Sequence, residues 1–138
     1  MTWEYREHTA DLRVAFRASS LEDLFSDGML LVRELVAGSS AEPRPGRRHT
    51  LRLEADSPAE LLRAFLRELL FLFETERFVP AALDVVRVDD TRLEATVRGE
   101  PFDPDRHETQ PEVKAVTRHG LGATRSGSGW TAEVVFDL

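Results

Sequence analysis

Two stretches of this chain carry apolar residues at helical spacing, in a sequence that otherwise alternates every second residue. Each of the two opens on a serine followed three residues later by a glutamate. That pairing is the capping box, in which the serine hydroxyl and the glutamate carboxylate satisfy backbone donors that a helix start leaves open. Ser19 with Glu22 is the first, and Ser57 with Glu60 the second, where Pro58 also occupies the first helical position. Leu21, Leu24, Phe25, Leu31, Val32, Leu35 and Val36 predict a helix over 20–37, with Gly38 as its stop. Leu61, Leu62, Phe65, Leu66, Leu69, Leu70, Leu72 and Phe73 predict a second, unusually apolar helix ending near residue 75. Its stripe is expected to serve as core rather than as a partner surface.

The remaining periodic segments read as strands. These are WEYRE (3–7), DLRVAFRAS (11–19), TLRLEAD (50–56), LDVVRVD (83–89), RLEATVRG (92–99), EVKAVTRH (112–119) and the closing WTAEVVFDL (130–138). Asp90-Thr91 predicts a hairpin, and SGSG (126–129) a turn. GSSAEPRPGRRH (38–49) reads as an exposed loop, and the three prolines of EPFDPDRHETQP (100–111) exclude a central strand there. Strands with several hairpins and two inserted helices predict an α+β fold: a mixed or antiparallel sheet packed with two main helices, in one domain spanning 1–138.

Composition narrows the chemistry. The 138 residues include no cysteine, which excludes disulfides, thiolate metal sites and cysteine nucleophiles. A net charge of -7 argues against the chain gripping nucleic acid by itself, since that requires clustered basic residues. The N-terminal residues lack the apolar core of a signal peptide, and no apolar run approaches a membrane span, so a cytoplasmic protein is expected.

The candidate chemistry lies near the ends and in the middle. His8 and Asp11 stand in HTAD where a strand begins, while the last strand runs to the final residue, bringing Asp137 beside the α-carboxylate of Leu138. If the two strands are neighbours, three anionic groups converge, and a hard cation such as calcium would suit them. The alternative is two ordinary strand-end acids, solvated or paired with arginine. Asp103, Asp105, His107 and Glu108 crowd FDPDRHE, but the spacing fits neither an EF-hand nor a zinc motif, and a tight turn capped by aspartate is expected. His119 and the other histidines are scattered. P-loop, GxGxxG and GxSxG motifs are absent.

Lys114 is the single lysine among 18 Lys and Arg residues. On a strand over 112–119 it shares a face with Glu112 and Val116. It is expected either to pair with Glu112 or Asp11, or to offer a compact ammonium to a partner's phosphate or carboxylate.

HTAD, ELLFLFETERF, RGEPFDPDRHETQPEVKAVTRHGL and GWTAEVVFDL together resemble the archease family, in its order and over nearly the whole chain. The resemblance implies a small, non-catalytic α+β protein that serves GTP-dependent RNA ligases of the RtcB type in tRNA splicing and RNA repair. It would promote formation of the ligase–GMP intermediate and multiple turnover, and would meet nucleic acid only through the ligase. It implies a calcium site at Asp11, Asp137 and Leu138, and it marks Lys114, with His8 and His119 in the same motifs, for the partner. Arg118 departs from the tyrosine that the family often has before that histidine. Two other classes compete: an independent metal-dependent phosphohydrolase using Asp11, Asp103, His107 and His119, and a nucleic-acid chaperone, which the net charge disfavours.

Overall fold

The computed structural model describes residues 11–138; the strand expected at 3–7 and His8 lie outside the described residues. The elements follow in the order β1 (Asp11–Ala18), α1 (Leu21–Ala37), β2 (Arg47–Glu54), α2 (Pro58–Glu76), β3 (Phe78–Val88), β4 (Arg92–Pro101), β5 (Ala115–Ser126) and β6 (Gly129–Asp137). The α+β class holds, and every described pairing is antiparallel. The described strands divide into two sheets of three, with orders β1-β6-β5 and β2-β4-β3.

The helices begin where serine can cap them. Ser57 Oγ accepts from the Glu60 N–H at 3.2 Å, as expected for α2. At α1 the cap is Ser20, one residue later than the spacing predicts, and its Oγ accepts from the Asp23 N–H at 3.1 Å. Ser19 donates instead to the Asp23 carboxylate at 2.7 Å. With two adjacent serines and acids at both 22 and 23, the pattern fits either register, and the extended backbone at Ser20 selects the later one.

The core forms where the helices meet each other and the sheets. Leu61, Leu62, Phe65, Leu66 and Leu69 are fully buried, and the Phe25 and Phe65 rings meet edge-on at 5.3 Å. Gly28 permits the close crossing, since a Cβ there would stand 3.3 Å from Leu66 Cδ2. Leu70 and Phe73, at the far end of the α2 stripe, are only partly buried. They line a cavity of about 710 Å³ with Leu35, Phe102 and Val113.

Several strand boundaries differ from expectation. β4, the central strand of its sheet, runs past residue 99 through Glu100 to Pro101, into the segment whose prolines predict no central strand; Pro101 is its last residue, where a missing N–H costs the ladder least. β2 begins at Arg47, so the preceding loop is shorter. β3 begins at Phe78, with a register shift between Pro80 and Ala82 that accommodates a proline lacking an N–H. β5 begins at Ala115 rather than 112 and continues to Ser126 across an interruption between Thr117 and Gly122, where Gly120 adopts φ 77°. Lys114 therefore precedes the strand, and the expected Glu112–Lys114–Val116 face does not form. None of the described helices is long and apolar enough to cross a membrane.

Candidate metal centre

Pairing of β1 with β6 sets Asp11 directly opposite Asp137, and pairing of β5 with β6 sets Ala115 opposite Asp137 from the other side. Opposed residues of an antiparallel pair project to the same face with Cβ atoms about 4.5–5.5 Å apart, where like charges destabilise the sheet. The register thus sets two carboxylates on one face of the sheet, and Leu138, half-buried, follows immediately. The Lys114 N–H donates to the Asp137 carbonyl at 2.7 Å, extending the ladder by one bond and fixing the backbone beside the pair. Among the described residues, neither Asp11 nor Asp137 forms a salt bridge with an Arg, Lys or His side chain.

His119 is exposed within the β5 interruption, beyond the Thr117–Val135 pair rather than at the Asp137 end, and its N–H donates to Thr117 Oγ1 at 2.7 Å. The pairing thus gathers Asp11, Asp137, Leu138 and Lys114, and leaves His119 further along the strand.

The FDPDRHE segment folds as the capped turn. Asp103 Oδ1 accepts from the Asp105 N–H at 3.0 Å, and the Asp103 carbonyl accepts from the N–H groups of Arg106 and His107. The His107 ring is buried, and its Nδ1 accepts from the Asp103 N–H at 2.8 Å. Its Nε2 lies 2.7 Å from Glu100 Oε1. Glu100 also accepts from the Arg44 N–H at 3.0 Å and is paired with Arg106. Burial pushes the Glu100 carboxyl up, but these donors together outweigh it and hold the group below the ordinary glutamate range. Nothing in the local pattern of RGEPF singles out Glu100, because its partners come from residues 44, 106 and 107. No three His, Asp or Glu side chains among the described residues converge as a metal group, so Asp11, Asp103, His107 and His119 are not one site.

Residues 3–138 match the archease protein family (MTH1598/TM1083). The chain belongs to the archease family. A protein archease of Methanopyrus kandleri is 33% identical over 141 residues, covering all of both chains. The solution structure of protein 1598 from Methanobacterium thermoautotrophicum superposes with a TM-score of 0.71 at 30% identity, over 96% of each chain. The crystal structure of a Thermotoga maritima archease, described as a possible chaperone, has a TM-score of 0.69 at 19% identity, covering 100% of this chain and 98% of the other; this likeness concerns the fold. The archease match spans both sheets, and so includes the strand ends that carry Asp11 and Asp137, and Lys114 just before β5.

Proposed function

We propose that the protein is a non-catalytic activator of a GTP-dependent, RtcB-type RNA ligase, acting in the cytoplasm in tRNA splicing and RNA repair. In this reading it promotes guanylylation of the ligase and repeated turnover. Calcium is held by the carboxylates of Asp11 and Asp137 and the α-carboxylate of Leu138. Bound there, the cation neutralises opposed acids and ties the end of β1 to the end of β6. Lys114 is the partner-facing ammonium, with His8 and His119 at the margins of the contact.

The observation that carries the reading is the register that opposes Asp11 to Asp137 and bonds Lys114 to the Asp137 carbonyl, in a chain of the archease family. The net charge of -7 agrees with a protein that leaves RNA to its partner. The test mixes the purified protein with an RtcB-type ligase, GTP, a divalent metal and RNA ends bearing 3′-phosphate and 5′-hydroxyl, and counts ligations per ligase. More than one turnover only when the protein is present supports the proposal, and turnover unchanged by the protein refutes it. Ligation or phosphate release by the protein alone, abolished by Asp11→Asn, would favour the phosphohydrolase instead.

A further inference from the structure

Three guanidinium groups gather where α2 packs on β5. Arg63 and Arg67 stand one helical turn apart on α2, and so share a face. Arg118 reaches them from the β5 interruption, held by Nε contacts of 3.0 and 3.3 Å to the two carboxylate oxygens of Glu60. Arg63 is half-buried, and its Nε donates to the Val116 carbonyl at 2.9 Å. That bond satisfies an acceptor on the outer strand of the β1-β6-β5 sheet and fixes the plane of the guanidinium. Among the described residues, the η nitrogens of Arg63 have no protein acceptor, and neither Arg63 nor Arg67 forms a salt bridge. Burial lowers the Arg63 pKa, and repulsion from Arg118 and then Arg67 lowers it further, while Glu60 opposes the shift. The three guanidinium groups outnumber the Glu60 carboxylate beside them, which gives this part of the surface a net positive charge.

We propose that Arg63, Arg67 and Arg118 form a binding site for a phosphate group carried by a small ligand, a nucleoside triphosphate or pyrophosphate. Guanidinium forks match the spacing of phosphate oxygens and engage them two at a time. An oriented Arg63, an adjacent Arg67 and an Arg118 approaching from the facing strand can surround one such group from two elements. The size of the ligand follows from the charge around the cluster. A chain of net charge -7 repels an extended polyanion beyond these three residues, whereas a compact phosphate meets only them. The site lies beside Val116, whose side chain is buried on the helix-facing side of the sheet, whereas the Ala115–Asp137 pair next to it projects to the opposite face.

The experiment is a titration of the full chain, free of calcium and of any ligase, followed by amide chemical shifts at constant ionic strength. Pyrophosphate and GTP are added in separate arms, with sodium chloride as the control. Because no ligase is present, the outcome is independent of whether the protein activates one. Saturable shifts centred on residues 63–67 and 116–120 are expected in at least one arm. The arm with the tighter response identifies the source of the phosphate. Arg67→Gln and Arg118→Gln, both exposed and expected to leave the melting temperature unchanged, should each weaken binding about tenfold or more, since each removes a charged hydrogen bond. Arg67→Lys should recover part of the loss. Shifts reproduced by sodium chloride, equal affinity in the glutamine variants, or no saturation at millimolar ligand would each overturn the assignment.

Discussion

Lys114 shows how a single side chain can be judged by what its backbone does. Its N–H is committed to the Asp137 carbonyl, while its side chain is exposed ahead of β5, so the ammonium contributes little to folding. Lys114→Ala is accordingly expected to shift stability by no more than about 0.5 kcal/mol. Under the proposed function it should nonetheless weaken activation of the ligase, and Lys114→Arg should restore it only in part, because a planar fork does not substitute for a compact charge. Turnover measured at limiting protein decides this, and wild-type activation by Lys114→Ala would remove the residue from the contact. Glu100 is the opposite case, buried and serving the fold. Its folded pKa lies below its unfolded one, so the stability it contributes is fully present above the ordinary glutamate range. That contribution is lost as pH falls through the depressed value. Glu100→Gln should cost roughly 3 kcal/mol near neutral pH, by breaking a buried charged network. Urea melts across the acid range should show the gap from wild type closing as pH falls; a constant gap would mean that charge is not what Glu100 contributes.

At the scale of elements, the close approaches are made by glycine. Gly99 lies in β4 opposite Pro80, and a Cβ there would stand 2.1 Å from the Val79 carbonyl and 2.8 Å from Phe78 Cζ. Those neighbours belong to the start of β3, which cannot withdraw without breaking its own ladder. Gly99→Ala should therefore part β3 from β4 and cost about 3 kcal/mol or more, the upper range for overpacking. Gly122 in β5 has nothing within 4 Å of the same construction, and Gly122→Ala is the control, expected to be nearly neutral. Denaturant midpoints of the two variants make the comparison, and equal midpoints would refute the crowding argument. Gly38 acts differently: it ends α1 at φ 70°, and the Glu108 N–H donates to the carbonyl of Ala37 just before it. That bond ties the segment between β4 and β5 to the end of a helix.

Across the whole molecule, β6 is the strand that joins the candidate site, pairing with β1 on one side and β5 on the other. If Leu138 supplies a ligand through its α-carboxylate, a C-terminal extension converts that group to a neutral amide and crowds the position. Calcium affinity should then fall, because ligand charge is one of its determinants. An N-terminal extension leaves the three ligands unchanged and is the comparison. A hundredfold excess of calcium over its dissociation constant should stabilise the form without the C-terminal extension by about 2.7 kcal/mol. The C-terminally extended form should gain less at the same concentration, with both alike in its absence. Identical melting responses to calcium would exclude the α-carboxylate as a ligand.

The local elements are legible in the residue pattern alone. Period-two and helical-period segments named the strands and helices, Ser57 with Glu60 started α2, and SGSG turned β5 into β6. These follow from the chemistry of near neighbours, which a sequence displays directly. The tertiary structure decided what depends on residues far apart. It divided the strands into two sheets, because pairing partners such as β2 with β4 are separated by α2 and β3. It moved Lys114 off the strand, because the register of β5 is set by β6. It also assembled Glu100 with Arg44 and His107, and Arg63 with Val116 and Arg118, from segments that share no local pattern. Asp11 and Asp137 stand between the two cases. Their residue types and strand ends were legible in the sequence, but only the antiparallel register of β1 on β6 makes them face each other.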